Sequence, residues 1–363
     1  MVNFSPSEEQ ELLRQTLASF SRDVLRPRLR ESDEKDVVPA EIPPKAWELG
    51  LVQESLPEEF GGFGGTRSAV SGVLAIEELA YGGLALGLHV VAPRLVTVPL
   101  LAFGSDEQKK QWLPKFAGAE YVAGTAALTE PRWDFDPADP VTRAERAGGD
   151  WVLSGTKCYV PLAKDAAVML VYASTPEGLG AFLVEPGAKG VTVGEREKLM
   201  GVKALDTYRV TLEGVHVPAS ARLGGDDVDL TPLLDAMRVA SAAAAVGVGR
   251  AAFDYAREYA KERKAFGQAI AQKQAIAFML SNMAIEIDAT RLLVWEAAWR
   301  IDQGLPATRE ACLARRYAAD QVLKIADNAL QVLGGHGYIR DHLVELFLRD
   351  ARAFAIVDGL AIV

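Results

Sequence analysis

The order of helical and strand patterns along the 363 residues is the feature that most constrains the fold. Apolar residues recur at helical spacing up to Phe116, short β-rich runs follow Gly118, and only long helical patterns follow Thr231. Helices and strands are therefore segregated rather than alternating, which disfavours a doubly wound parallel sheet. We predict an α+β protein with an N-terminal helical domain (1–118), a middle antiparallel β-domain (119–229) and a C-terminal four-helix bundle (230–363).

The individual patterns predict approximate element boundaries. Helices are predicted over residues 6–30, 44–51, 69–81, 85–103, 107–116, 234–261, 273–303, 307–333 and 343–355. Strands are predicted over residues 121–128, 151–160, 167–172, 181–185 and 208–212. The segment 130–149 carries many turn-forming residues, so we expect a mobile loop there.

Charge, cysteine and histidine content exclude several classes of protein. Lys and Arg number 39 against 49 Asp and Glu, a net charge of −10, and no basic block offsets it, so nucleic acid binding is not expected. Cys158 and Cys312 lie far apart and the four histidines form no HxxxH pattern, so we expect a reduced intracellular protein without a metal site. No uncharged apolar run reaches about 18 residues and the acidic N-terminus does not resemble a secretory signal, so a cytoplasmic location without membrane association is expected.

Two glycine motifs resemble nucleotide loops but lack the required context. Gly247-Val-Gly249-Arg-Ala-Ala252 matches GxGxxA, yet it lies inside an alanine-rich helical run instead of between a strand and a helix. Its small residues are expected to let two helices pack closely. The run from Gly61 to Gly65 lacks the Lys-Ser/Thr of a phosphate loop and is predicted to be a turn.

Seven short motifs occur in a specific order and spacing along nearly the whole chain. They are Ala127-Leu-Thr-Glu-Pro131, Leu153-Ser-Gly-Thr-Lys157, Lys198-Leu-Met-Gly201, Val215-His-Val-Pro218, Glu262-Arg-Lys-Ala-Phe-Gly267, Leu330-Gln-Val-Leu-Gly-Gly335 and Leu348-Arg-Asp350. Together they resemble the acyl-CoA dehydrogenase family. The resemblance implies FAD, an acyl-CoA thioester substrate and an electron-transferring flavoprotein as electron acceptor. It also implies a tetramer, homomeric or with a related subunit, whose flavins are shared between neighbouring subunits.

The resemblance assigns Arg263 and Phe266 to the FAD site. Arg263 stands at the end of a long predicted helix, where a guanidinium group could clamp a pyrophosphate. From the sequence alone, an ion pair with Glu262 or Glu258 is the alternative. In the family, the corresponding arginine binds the FAD pyrophosphate of the neighbouring subunit.

Other positions also correspond to FAD-binding residues of the family. They are Ala126, Leu128, Thr129, Tyr159, Val160, Pro161, Gln274, Gln331, Gly335 and Leu360. The two glutamines and the glycine fall at the adenosine end, where helix capping is the alternative explanation. Pro161 stands where the family has a Thr or Ser that bonds flavin N5, and proline can supply neither a hydroxyl nor an amide donor.

Four positions correspond to family residues that contact the acyl-CoA. Asp235 and Arg238 lie one helical turn apart and therefore share a face, so an intrahelical ion pair is the alternative. Phe135 stands where the family has a serine that contacts the CoA arm, and it could still pack on the pantetheine. Gly359 is the fourth such position.

Acyl-CoA dehydrogenation needs a carboxylate that removes the α-proton while the β-hydrogen leaves as hydride to flavin N5. The family usually carries a Glu in a short segment after the last long helix, and the corresponding residue here is Asp358. Its neighbours Phe354, Ile356 and Val357 are apolar, a setting that favours general-base chemistry, although a turn Asp before Gly is the alternative. Asp is one methylene shorter than Glu, and a misplacement of about 1 Å can cost on the order of a hundredfold in rate.

Three functions agree with these residues. The first, which we predict, is an FAD-dependent acyl-CoA dehydrogenase that uses Asp358 as its base. The second is a catalytically weak or inactive subunit of a heteromeric acyl-CoA dehydrogenase, which Pro161 and Phe135 favour. The third is a flavoprotein of the same fold that carries out a non-oxidative elimination on an acyl-CoA.

Overall fold

Helices, then strands, then helices follow one another in the computed structural model, which describes residues 4–356 and 358–363. The first helices are α1 (Glu8–Phe20), α2 (Leu29–Lys35), α3 (Ile42–Trp47), α4 (Ala69–Gly82), α5 (Leu84–Val91), α6 (Arg94–Phe103) and α7 (Asp106–Trp112). The central strands are β1 (Thr125–Ala127), β2 (Arg143–Ala147), β3 (Asp150–Pro161), β4 (Met169–Thr175), β5 (Gly178–Val184), β6 (Val191–Arg196) and β7 (Thr207–Val217). The last part comprises α8 (Thr231–Glu262), the hairpin β8 (Lys264–Ala265) and β9 (Gln268–Ala269), α9 (Gln274–Asp302), α10 (Thr308–Leu333), α11 (Gly335–Tyr338) and α12 (Val344–Ala353). The predicted α+β order is confirmed, whereas the domain boundaries at 118/119 and 229/230 stay predictions.

Two helices that the sequence predicts as continuous are interrupted in the structure. The helix predicted over 6–30 ends as an α-helix at Phe20. A π-helical turn and then a 3₁₀ turn that contains Pro27 precede α2. The helix predicted over 85–103 is divided into α5 and α6, with Pro93 immediately before α6. Proline has no amide hydrogen to donate to the preceding turn, so the helical hydrogen bonding breaks there although the apolar periodicity of the sequence continues.

Seven strands form one sheet in the order β1-β4-β2-β3-β7-β6, and β5 also pairs with β4. Most pairs are antiparallel as predicted, but β1 and β2 each pair with β4 in parallel, with Thr125 opposite Met169 and Arg143 opposite Ser174. The sequence did not predict β2 or β6, because Ala144 is the only fully buried residue of either strand and the alternating apolar pattern is weak. Since β2 lies inside the segment 130–149, that segment is not one open loop.

Helix α8 passes through the core between α4 and α10. A Cβ atom added at Gly247 would lie 2.3 Å from the carbonyl oxygen of Glu77 on α4, so only glycine permits this approach. On the same helix, Arg250 pairs with Glu77 at 2.5 Å and with Glu78 at 2.9 Å. The prediction that the GxGxxA motif is a helix-packing motif is therefore confirmed.

Two stretches, Leu84–Phe103 and Thr231–Glu262, are long and apolar enough to cross a membrane by length and composition alone. Their most apolar windows are 89% and 83% buried inside the protein. Core helices of folded domains meet the same criteria, so packing in the core accounts for their composition.

Asp350 on α12 connects the C-terminal helices to the segment before β7. Its Oδ1 accepts a hydrogen bond from the Val202 amide at 2.6 Å, and the residue is 3% exposed. A Cβ atom at Gly201 would lie 2.2 Å from the Arg349 carbonyl oxygen, so the two segments are in direct contact. Burial raises the pKa of Asp350 to about 7, although the Val202 hydrogen bond and the Arg349 charge partly oppose this.

We expect Asp350→Asn to remove a pH dependence of stability. The pKa of Asp350 is about 7 in the folded protein, and an unfolded Asp titrates at about 3.9, so the folded state binds this proton more tightly. The wild-type free energy of unfolding should therefore lose up to about 1.4 kcal/mol per pH unit between these values as the pH rises. Asn keeps an acceptor for the Val202 amide but does not titrate.

Urea denaturation of both proteins between pH 5 and pH 8 measures this effect. The stability of the variant relative to wild type should increase up to about pH 7 and then level off. If the difference in unfolding free energy between variant and wild type stays constant over this range, Asp350 is ionised throughout in the folded protein.

Candidate active site

Asp358 lies in the tail that follows α12 and is contacted by two other elements. Arg315 on α10 places its Nε 3.0 Å and its Nη2 2.9 Å from Oδ1 of Asp358. The Thr129 hydroxyl, just after β1, donates a hydrogen bond to the main-chain carbonyl of Asp358 at 3.0 Å. The Asp358 side chain remains 39% exposed. The carboxylate is therefore ion-paired and partly solvated.

The apolar setting that the sequence predicts around Asp358 is wrong. Phe354 and Leu360 pack against the main core, and Ile356 lines a pocket whose lining does not include Asp358. Val357 lies outside the described residues. The ion pair with Arg315 and the 39% exposure of the Asp358 side chain contradict the predicted setting.

The tail passes directly over the end of β1. Gly359 has a φ of +75°, and a Cβ atom on it would lie 3.0 Å from the Leu128 side chain, so both the conformation and the contact favour glycine. Ala126, Leu128 and Thr129 are buried. The structure thus brings Leu128, Thr129 and Gly359 together beside the candidate base. The side chains of Ala126 and Leu128 belong to the core.

Tyr159 occupies an irregularity in β3. Its φ of +54° is unusual for an aromatic residue, and its amide donates to Glu197 Oε2 at 2.9 Å. Together with Ile356, it lines a cavity of about 180 Å³ between the sheet and the end of α12. Val160 and Pro161, which complete the strand, are buried. Strained backbone of this kind concentrates at functional sites.

A buried ion pair supports the segment that carries Leu128. Lys157 Nζ donates to the Leu128 carbonyl at 3.0 Å and to Glu130 Oε1 at 2.9 Å, and both charged side chains are almost fully buried. The amides of Val141 and Thr142 also donate to Glu130, each at 2.8 Å. Burial lowers the pKa of Lys157 to about 8, although Glu130 opposes this. The sequence does not predict this pair, since its members lie in two different motifs and no local pattern shows that they meet.

Arg263, Phe266, Gln331 and Gly335 line one open groove of about 500 Å³. The groove lies between the ends of α8 and α10 and the β8–β9 hairpin. Gln274 is exposed at the start of α9, beside the groove residue Lys273. The structure therefore brings together four of the residues predicted to bind the adenosine and pyrophosphate of FAD.

The chemistry of this groove suits a pyrophosphate. Arg263 is exposed and forms no ion pair within residues 4–356 and 358–363, so its predicted alternative partners on α8 do not engage it. Gly334 and Gly335 leave open space where side chains would stand. A free guanidinium fork beside an uncovered main chain and the Gln331 amide fits a phosphate-bearing ligand such as FAD.

Asp235 and Arg238 form the intrahelical pair that was the alternative to ligand binding. Arg238 Nη1 lies 2.8 Å from Asp235 Oδ1, and the hydroxyl of Thr308 donates to Asp235 Oδ2 at 2.7 Å. Both oxygens of Asp235 are thus engaged, Oδ1 within α8 and Oδ2 in connecting α8 to α10, and Arg238 keeps further donors for a ligand. Phe135 is half-buried against the main core.

Comparisons with known proteins agree along the whole chain. Profiles described as acyl-CoA dehydrogenase N-terminal, middle and C-terminal domains match residues 7–120, 125–215 and 225–361. A mitochondrial short-chain specific acyl-CoA dehydrogenase of Bos taurus is 36% identical over 97% of this chain and 87% of its own length. The chain belongs to the acyl-CoA dehydrogenase family. A probable acyl-CoA dehydrogenase of Bacillus subtilis is 35% identical over 99% of this chain and 96% of its own length.

The fold gives the same result. Butyryl-CoA dehydrogenase from Megasphaera elsdenii has a TM-score of 0.89 and 30% identity, over 98% of this chain and 96% of the other. The resemblance inferred from the seven motifs is confirmed. Acyl-CoA dehydrogenases are FAD-dependent oxidoreductases that act on CH–CH bonds, so the predicted enzyme class and cofactor are confirmed as well.

In this acyl-CoA dehydrogenase, Arg263→Ala should weaken FAD binding by about tenfold or more, because the groove loses a charged donor to phosphate. Lys264→Ala is the matched control, since Lys264 is the exposed next residue and lies outside the groove lining. Fluorescence titration of FAD into the two apoproteins gives both dissociation constants. Equal constants would exclude Arg263 as the pyrophosphate clamp.

Proposed function

We propose that this chain dehydrogenates an acyl-CoA thioester between Cα and Cβ, with Asp358 as the base that removes the α-proton. The position of Asp358 supports this role most directly, since the residue lies beside Thr129 and Gly359 at the end of β1. Asp358 is the one acidic residue between Asp350 and Val363. Among the described residues no donor reaches Asp358 Oδ2, so that oxygen can accept a proton.

Each residue of the site has a separate task in the proposed reaction. The thioester carbonyl acidifies the α-proton, and Asp358 Oδ2 removes it as a general base. Thr129 holds the main chain of Asp358 in place. Arg263 and Gln331 are proposed to bind the pyrophosphate and adenosine of FAD. When bound, FAD supplies the acceptor for the β-hydrogen, which leaves as hydride.

We propose short-chain acyl-CoA thioesters as the substrate class. This rests on the named activities of two relatives, the short-chain specific enzyme of Bos taurus and the butyryl-CoA dehydrogenase of Megasphaera elsdenii. We also propose an electron-transferring flavoprotein as the electron acceptor and a tetramer as the assembly, both of which follow from family membership.

A second candidate function is a catalytically weak subunit of a heteromeric enzyme. Pro161 favours it, because the last residue of β3 offers no amide hydrogen or hydroxyl to a flavin. A non-oxidative elimination on an acyl-CoA would also tolerate Pro161. These functions differ from the first in what happens to the flavin when a thioester is added.

The Asp358→Asn variant tests the base. We expect it to retain FAD and to lose flavin reduction by about a hundredfold or more, because Asn cannot accept the α-proton. Flavin bleaching after anaerobic mixing with butyryl-CoA and longer thioesters measures the rate, and Asp320→Asn on the exposed side of α10 is the control. Undiminished reduction by the variant would remove Asp358 from the mechanism.

The wild-type protein distinguishes the three functions in the same experiment. Bleaching by one of the thioesters supports the dehydrogenase and identifies its preferred chain length. Failure to bind FAD supports the heteromeric subunit. An oxidised flavin that persists while an elimination product is released supports the third function.

A further inference from the structure

Arg315 contacts the candidate base in an asymmetric way. An Arg–carboxylate pair with fork geometry places one nitrogen on each oxygen. Here both Nε and Nη2 of Arg315 converge on Oδ1 of Asp358, at 3.0 and 2.9 Å. Oδ2 has no hydrogen-bond donor among residues 4–356 and 358–363. The two oxygens of the same carboxylate are therefore chemically distinct.

The donor is better fixed than the acceptor. Arg315 has a side chain only 14% exposed and stands on α10, a continuous helix of 26 residues packed against the core. Asp358 lies in a non-helical tail, and the Thr129 hydrogen bond holds its main chain but not its side chain. Without Arg315, the partly exposed carboxylate would be free to rotate into solvent.

The orientation of this carboxylate matters because the side chain is short. A base must lie within hydrogen-bond reach of the proton that it removes, at about 2.6–3.2 Å between heavy atoms. An Asp has only two side-chain torsions, and rotation about the second exchanges the two oxygens. A donor fork on Oδ1 removes that freedom and leaves Oδ2 as the available acceptor.

We propose that Arg315 is a positioning residue that orients Asp358 so that Oδ2 receives the α-proton. The inference rests on the proposed role of Asp358 and extends it to a second residue. In the proton-transfer step the Cα–H bond breaks, an O–H bond forms at Oδ2, and the electron pair stays on the thioester as its enolate. Arg315 transfers no proton in this step.

Arg315→Gln tests the proposal, with Arg315→Lys as a milder change. Arg316→Gln is the matched control, because Arg316 is the next residue on α10, its side chain is 81% exposed, and it pairs with Asp320 on the helix surface. The probe is a 3-thiaacyl-CoA, whose α-proton is acidic but which does not go on to form the dehydrogenated product. Long-wavelength charge-transfer absorbance after rapid mixing with the holoenzyme reports proton removal separately from flavin reduction.

We expect Arg315→Gln to slow proton removal by about 30- to 100-fold, the cost of a misplacement of about 1 Å. FAD content and the dissociation constant of the thioester should change less than about threefold, since Arg315 contacts neither in the proposed arrangement. Arg315→Lys should fall between wild type and Arg315→Gln, because an ammonium lacks the fork. Added guanidinium ion should accelerate Arg315→Gln and leave wild type and Arg316→Gln unchanged.

Three results would overturn the proposal. Undiminished proton removal in Arg315→Gln would show that Asp358 needs no orientation by Arg315. Loss of FAD or of thermal stability with a normal rate per bound flavin would show that Arg315 only secures the tail. The third result is a wild-type protein that binds FAD and the thioester but shows no charge-transfer band. It would reject Asp358 as the base, and with it the proposed function.

Discussion

The position of the tail formed by residues 358–363 depends on hydrogen bonds from three separate parts of the chain. Thr129, after β1, and Arg315, on α10, both contact Asp358. Arg67, before α4, donates to the carbonyl oxygen of Val363. The tail is therefore held at both ends by residues from the N-terminal helices, the sheet and the C-terminal helices. A change in how any of these parts pack would move the candidate base, so the chemistry of the site depends on the packing of the whole chain.

Buried ion pairs contribute to this packing, because each partner offsets part of the cost of removing the other from water. Arg250 connects α8 to Glu77 on α4, and Gly247 allows the two backbones to approach at the same residue. Lys157 and Glu130 fix the chain just after β1 in the same way, next to the residues that contact the tail. These pairs leave few alternative arrangements of the surrounding elements, because an unpaired buried charge would be strongly destabilising.

The sequence predicted long elements better than short ones. The boundaries of α8, α9 and α10 agree with the predicted ranges to within three residues, since helical periodicity repeats many times over their lengths. The strands β2 and β6 were missed because β2 is mostly exposed, β6 is mostly half-buried, and neither carries a clear apolar alternation. Pro27 and Pro93 interrupt helices whose apolar periodicity continues, since the pattern follows burial while the break follows the missing amide hydrogen.

The sequence by itself determined the α, β, α order, the family and the candidate base, because these depend on local periodicity and on motifs whose residues are close together in the chain. Only the tertiary structure decided what surrounds that base. Arg315 lies 43 residues before Asp358, and the apolar neighbours of Asp358 in sequence predicted a different setting. Likewise, Asp235 carries an acidic side chain in any fold, but its engagement with Thr308 requires α8 and α10 to pack together. Pairings of this kind arise from how elements pack across the chain, and no local pattern records them.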